Sequence, residues 1–307
     1  MIVPAPLHQG STIGIIAPSG GLRDTRAFAS GIQILHDLGY ATIFPSPQWS
    51  GHNYFSDSDV NRLAEFHERW HDGEIDAIMA ARGGYGCLRI AAGIDIPTLH
   101  DTAKLLIGFS DITLLHGHIN QKFNIATLHA PVVTSLAKLS HDTIIQFDST
   151  LRTPLDDWHY SGDSIVLQNH GTVSGRSTGG NLSTIVSTLA TPYQPDWNNK
   201  VVFLEDTAEP VYRVDRMFTQ LHLAGMLEGV SAIILGDFSH GLGLDRNTIM
   251  RNHQTIWDRV IEIVGDDITV WANFPMGHGT INYSVPLGME IIIDSDKRSM
   301  YSRQSTN

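Results

Sequence analysis

Chemistry in this 307-residue chain centres first on Ser110. The serine closes an apolar run, Leu105 to Phe109, and is followed by Asp111-Ile112-Thr113 and then Leu114 and Leu115. The run has the length of a buried parallel strand, and the residues after it open a helix. A serine at such a turn is lifted out of the sheet, with the first backbone N–H groups of the helix aimed toward it, as in a nucleophile elbow. Gly108 matches the first glycine of G-x-S-x-G, but Ile112 stands where the second would be. Ser before Asp-Ile-Thr also suits a helix N-cap, and the stretch alone favours the cap. A hydroxyl becomes a nucleophile only when an imidazole takes its proton and a carboxylate orients that imidazole. His278, between Gly277 and Gly279, is the best-placed base, although a loop histidine of no consequence fits as well. Glu205 and Asp206 end the apolar run Val201 to Leu204, as orienting acids or as a solvated strand end. Periodicity does not choose between the two carboxylates, because both faces of that strand are apolar.

Other groups invite other chemistry. His67-Glu68-Arg69-Trp70-His71 matches the H-E-x-x-H zinc pattern. Its helix stops at Asp72-Gly73, and Leu63, Phe66 and Trp70 anchor it as an outer crossover helix with both histidines flanking that face. In a chain with 16 histidines, a chance match is the better reading. His116-Gly117-His118 is weaker, since residues two apart on a helix diverge. Cys87 follows Gly86 in a loop; a thiol nucleophile competes there with a small residue opening a helix, and the small residue is favoured. Pro18-Ser19-Gly20-Gly21 ends a strand, as a phosphate cradle would, but no G-x-G-x-x-G or P-loop lysine accompanies it, so a tight turn is expected.

The elements that must position these groups alternate. Strands are expected at Ser11 to Ala17, Ala41 to Phe44, Ile75 to Ala80 and Leu105 to Phe109, with helices over Phe28 to Leu38 and Val60 to His71. That order implies an α/β fold with a parallel sheet covered on both faces and ligands at the carboxyl ends of the strands. Arg82-Gly83-Gly84-Tyr85-Gly86 and Ser110 both lie at such ends. Around 151–164 the pattern breaks, dividing the chain into 1–150 and 165–307. The second part should hold a helix over Asn181 to Ala190 and strands at Lys200 to Leu204, Val230 to Leu235, Thr269 to Trp271 and Met289 to Ile293. Helices are expected over Val211 to Ala224 and Ile249 to Val264, and a frayed tail from Ser295. Hydrophobic residues make up 42%, enough for real cores, and the net charge of −12 argues against nucleic acid or an anionic membrane. With one cysteine no internal disulfide forms, and no signal peptide or membrane span is read, so the expected location is the cytoplasm.

Six motifs stand in the order and spacing of the LD-carboxypeptidases, serine peptidases that trim murein peptides. They are Ile16-Ala17-Pro18-Ser19, the loop Arg82 to Gly86, Gly108-Phe109-Ser110-Asp111, Gly179-Gly180-Asn181-Leu182, Phe203-Leu204-Glu205-Asp206 and Gly277-His278-Gly279. Glu209 to Met217 is similar to that family as well, and the resemblance runs from residue 13 to about 293. It implies Ser110 as nucleophile, Glu205 as orienting acid and His278 as base. The oxyanion-hole N–H groups would be those of Gly84 and Asp111, with no metal or cofactor; Arg82 and Gly83 stand where substrate would bind, Arg82 either on the terminal carboxylate or in a structural role in the loop. It also implies an N-terminal parallel-sheet α/β domain with a nucleophile elbow and a C-terminal β-rich α/β domain that carries the glutamate and histidine. The implied substrate is the murein tetrapeptide, and a homodimer is implied. Two alternatives remain: a microcin C immunity-type peptidase that cleaves acidic aminoacyl adenylates, and a non-catalytic α/β binding protein.

Overall fold

The computed structural model describes residues 1–45, 49, 51, 53–95, 103–238 and 243–303. The chain divides into two compact units, Met1–Leu155 with Tyr283–Gly288, and Asp156–Asn282 with Met289–Asn307.

The first unit is built on strands β1 (Thr12–Ile16), β2 (Ala41–Ile43), β3 (Ala77–Ala80), β4 (Leu105–Gly108) and β5 (Thr127–His129), joined late in the chain by β12 (Val285–Leu287). Their order is β12-β5-β4-β3-β1-β2. All pair in parallel except β12, which runs antiparallel to β5 with Val285 opposite His129. Strands β3 and β4 are buried at every position, as a parallel sheet covered on both faces requires. The helix Thr25–Asp37 is capped by Asp24 and buries Phe28, Ile32 and Leu35. The helix Asp59–His71 is capped by Ser58 and buries Phe66 and Trp70, whose rings stack 5.4 Å apart. Pro286 is tolerated because β12 is an edge strand, where a missing N–H leaves no ladder partner unsatisfied.

The second unit holds β6 (His159–Ser161), β7 (Ile165–Gln168), β8 (Thr172–Asn181), β9 (Lys200–Glu205), β10 (Ala232–Leu235), β11 (Thr269–Ala272), β13 (Glu290–Asp294) and β14 (Ser299–Arg303). Their order is β6-β14-β13-β8-β9-β10-β11-β7. The centre, β8-β9-β10-β11, is parallel, while the flanks are antiparallel. The helices Val211–Leu223 and Arg246–Val264 supply Val214, Phe218, Leu221, Ile256, Trp257 and Val260 to one core.

Several expectations need correction. The tail from Ser295 is not frayed: Ser299–Arg303 is a strand paired with β13 and β6, and its alternation buries Met300 and Ser302. Residues 304–307 lie outside the described residues. The helix expected over Asn181 to Ala190 spans only Leu182–Val186, because the chain turns through Thr188 and Ala190 takes a left-handed φ of 60°. The stretch 151–164 is not a bare crossing, since it contains the end of the helix His141–Arg152 and β6. Residues 165–307 were expected in the second part, yet Tyr283–Gly288 belongs to the first unit because β12 pairs with β5.

Candidate active site

The serine that β4 delivers does not cap a helix. Ser110 opens the short turn Ser110–Ile112 with a left-handed φ of 64°, and no side-chain cap bond forms there. A non-glycine residue in that region is strained by about 1–3 kcal/mol, as found at functional turns. Ile112, at the place of the second glycine, lays its side chain so close to Gly108 that a Cβ there would meet it at 3.0 Å. The buried His116 ties the following helix back to the strand, donating from Nε2 to the Gly108 carbonyl at 2.8 Å. Burial lowers its pKa to about 4, so it stays neutral.

Against the serine lies the glycine loop after β3. A side chain on Gly83 would meet Ser110 Cβ at 2.8 Å and Oγ at 2.9 Å, so only glycine lets this backbone approach the hydroxyl. Gly84 has φ +135°, and a Cβ on it would meet the Gly20 backbone at 3.2 Å. Asp111 is buried with its carboxylate turned away from solvent. Its Oδ2 accepts from Ser19 Oγ at 2.5 Å and from the Cys87 N–H at 3.0 Å. Arg82 braces the same loop, donating from Nε to the Gly83 carbonyl at 3.0 Å and from Nη1 to the Gly21 carbonyl at 2.8 Å.

In the second unit, Glu205 is the last residue of β9 and fully buried. His278 sits on the turn after Phe274, and its Nδ1 lies 2.7 Å from Glu205 Oε2. Burial alone would lower the imidazole pKa. The Glu205 charge and hydrogen bond, with Asp206 and Asp237 behind them, more than offset that and leave it above the ordinary histidine value. Asp206 takes a different part. It accepts from the Ser183 and Thr207 N–H groups at 2.9 and 2.8 Å and from Asn181 Nδ2 at 3.0 Å. Burial, then the neighbouring Glu205 charge, raises its pKa to about 6. Of the two carboxylates the sequence left open, Glu205 is therefore the one bonded to the imidazole.

Other groups resolve differently. Cys87 is fully buried, 3.2 Å from Ser19 Oγ, and burial together with the Asp111 charge raises its thiol pKa well above the usual range. A thiol so held is not a poised nucleophile. In the H-E-x-x-H stretch, His71 Nδ1 bonds to the His67 carbonyl one turn back at 2.6 Å. Among the described residues no group of three or more His, Cys, Asp or Glu is placed to hold a metal ion. Nor, among them, is any helix long and apolar enough to cross a membrane.

Sequence reasoning missed three contributors. Asn181 follows Gly179-Gly180 and bonds to both carboxylates, reaching Glu205 Oε1 at 3.3 Å. Asp237, at the end of β10, lies under Gly277, where a Cβ would meet its Cβ at 2.9 Å. Ser19, whose place in the sequence suggests only a tight turn, donates its hydroxyl to Asp111. Asn181 is the last residue of β8, and Ser19 and Asp237 follow the carboxyl ends of β1 and β10; that position was the signal available.

With this geometry in hand, likeness to known proteins is informative. Residues 13–130 match the LD-carboxypeptidase N-terminal domain, and residues 174–293 match the LD-carboxypeptidase C-terminal domain. The "Probable murein peptide carboxypeptidase" of Bacillus subtilis (strain 168) is 30% identical over 96% of this chain and 92% of its own. The muramoyltetrapeptide carboxypeptidase from Oxalobacter formigenes superposes with a TM-score of 0.76 at 27% identity, covering 94% of this chain and 97% of that one. MccF in complex with glutamyl sulfamoyl guanosine superposes with a TM-score of 0.88 at 24% identity over the full length of both chains, a likeness of fold. Both halves of the chain, each with its own sheet, thus carry the same assignment, and the protein belongs to the LD-carboxypeptidase family of peptidases.

Proposed function

We propose that this enzyme is a serine carboxypeptidase that releases the C-terminal D-alanine of murein tetrapeptide, with Ser110 as nucleophile, His278 as base and Glu205 as the acid that orients it. The observation that carries the reading is the 2.7 Å bond between His278 Nδ1 and the buried Glu205 Oε2. An imidazole that donates Nδ1–H to a carboxylate has Nε2 as its basic nitrogen, and the carboxylate stabilises the imidazolium that forms. The left-handed φ of Ser110 and the close approach of Gly83 support the assignment of the nucleophile.

In this mechanism His278 Nε2 takes the Ser110 proton as Oγ attacks the carbonyl carbon before the terminal D-alanine. The N–H groups of Gly84 and Asp111 hold the oxyanion. The imidazolium then protonates the departing amine as the C–N bond breaks. Water, deprotonated by His278, cleaves the Ser110 ester and frees the hydroxyl. The guanidinium of Arg82, donating to the Gly83 and Gly21 carbonyls, gives it a bracing part in the loop. The proposed setting is peptidoglycan recycling in the cytoplasm.

Incubation with the L-Ala-γ-D-Glu-meso-diaminopimelate-D-Ala tetrapeptide is expected to release one D-alanine per peptide with the wild type and none with Ser110→Ala. A protein that leaves the tetrapeptide intact but hydrolyses a glutamyl sulfamoyl nucleoside would instead have the immunity-type activity. One inert toward both would be a binding protein.

A further inference from the structure

The side chain of Asp111 does work that its backbone N–H does not. Its Oδ2 gathers two donors from two different loops: the Ser19 hydroxyl on the turn after β1, and the Cys87 N–H immediately beyond Gly84-Tyr85-Gly86. Those loops are already packed backbone to backbone, since a Cβ on Gly84 would meet Gly20 at 3.2 Å and one on Gly20 would meet the Gly83 carbonyl at 3.3 Å. A second buried clamp sits behind the first. Arg62, 1% exposed, donates from Nη1 to the Pro18 and Gly86 carbonyls, bridging the same two loops, and Asp59 bonds to its Nη2 at 2.5 Å. The two clamps differ in what they reach. Arg62 comes from an outer helix, whereas Asp111 is the neighbour of Ser110 and fixes the loop relative to the elbow itself.

We propose that the Asp111 carboxylate is the positioning group of the oxyanion hole: it locks the loop that carries the Gly84 N–H onto the elbow that carries Ser110 and the Asp111 N–H. The inference rests on the reading of Ser110 as nucleophile. A buried carboxylate bonded to two donors is a stiff link, and an oxyanion hole is effective only when its donors are set before the charge develops. Moving one donor by a fraction of an ångström weakens transition-state binding while ground-state binding of the peptide is little changed.

The test compares Asp111→Ala, Asp111→Asn and Ser19→Ala in the full chain. Three readouts are taken: kcat and KM on the tetrapeptide, the Ki of a peptidyl boronic acid whose boron replaces the scissile carbonyl, and the thermal midpoint. Asp111→Ala should lower kcat about 10–100-fold and weaken the boronate in parallel, with KM within about threefold of wild type. Asp111→Asn, which retains an acceptor oxygen, should recover most of both, and Ser19→Ala should fall between. Tyr40→Phe, which cuts a 2.6 Å bond to Asp148 elsewhere in the same unit, controls for lost stability and should keep kcat. If Asp111→Ala unfolds the protein, Ser19→Ala carries the test alone. The proposal is overturned if the folded variants keep wild-type kcat and boronate affinity, or if Tyr40→Phe, at a comparable loss of thermal midpoint, lowers kcat by as much. Activity persisting in Ser110→Ala would instead remove the functional reading, a failure that Asp111 cannot mimic.

Discussion

Ser110 pairs a strained backbone with an ordinary side chain, and the two can be separated. Ser110→Gly and Ser110→Ala should both abolish turnover, but glycine adopts φ 64° without penalty, so the glycine variant should be more stable than the alanine variant by about 1 kcal/mol. Denaturant midpoints check this. Glu205→Gln keeps the shape of the acid and removes its charge. By comparison with triads that lose only the charge, kcat should fall about 10²–10⁴-fold. Because the Glu205 charge and hydrogen bond raise the His278 pKa against burial, the acid limb of kcat/KM should also move to lower pH in this variant. Ser110, Glu205 and His278 were singled out in the sequence through their motifs, and the Glu205–His278 bond is consistent with that choice. The φ of Ser110 was not legible there, and periodicity alone left Glu205 and Asp206 open, because both depend on what packs beside them in space.

At the scale of elements, the carboxyl ends of β8, β9 and β10 hold a cluster of coupled groups whose proton binding tightens on folding. Both the His278 and the Asp206 pKa lie above their ordinary values. A group whose folded-state pKa is raised binds its proton more tightly when folded, so its contribution is full below the unfolded pKa and is lost as pH rises through the folded one. For His278 that loss begins near pH 6.5 and is complete above its raised value. The stability of wild type relative to His278→Gln should therefore be larger at pH 6 than at pH 9, read from thermal midpoints at each pH. Strands with uniform apolar runs, such as β3, β4, β9 and β10, were legible in the sequence. β8 was not, because Gly175, Gly179 and Gly180 break its pattern; a side chain on Gly175 or Gly179 would strike the backbone at Asn199, just before β9, or at Phe203 within it. The small residues that hid the strand are what allow close pairing with β9.

For the whole molecule, the late return of the chain matters most. Residues Tyr283–Gly288 complete the first unit after the second has been nearly traversed, and Met289 onward resumes the second. Leu287 is buried opposite Thr127, and Asn120 donates to its carbonyl at 3.4 Å. Leu287→Ala should destabilise the first unit by about 2–5 kcal/mol, and hydrogen exchange should quicken in β4 and β5 before β9 and β10. A three-residue edge strand containing proline carries too little pattern to be read from sequence, and its partner lies more than 150 positions earlier. The same separation in sequence divides the proposed nucleophile from its base, so the claim that they act together is the one to test. The direct measurement is labelling with a fluorophosphonate, followed by mass mapping of the modified peptide. The account predicts a phosphonyl adduct on Ser110 in the wild type and none in His278→Ala. An adduct on a different residue, or equal labelling of Ser110 with and without the imidazole, would contradict it.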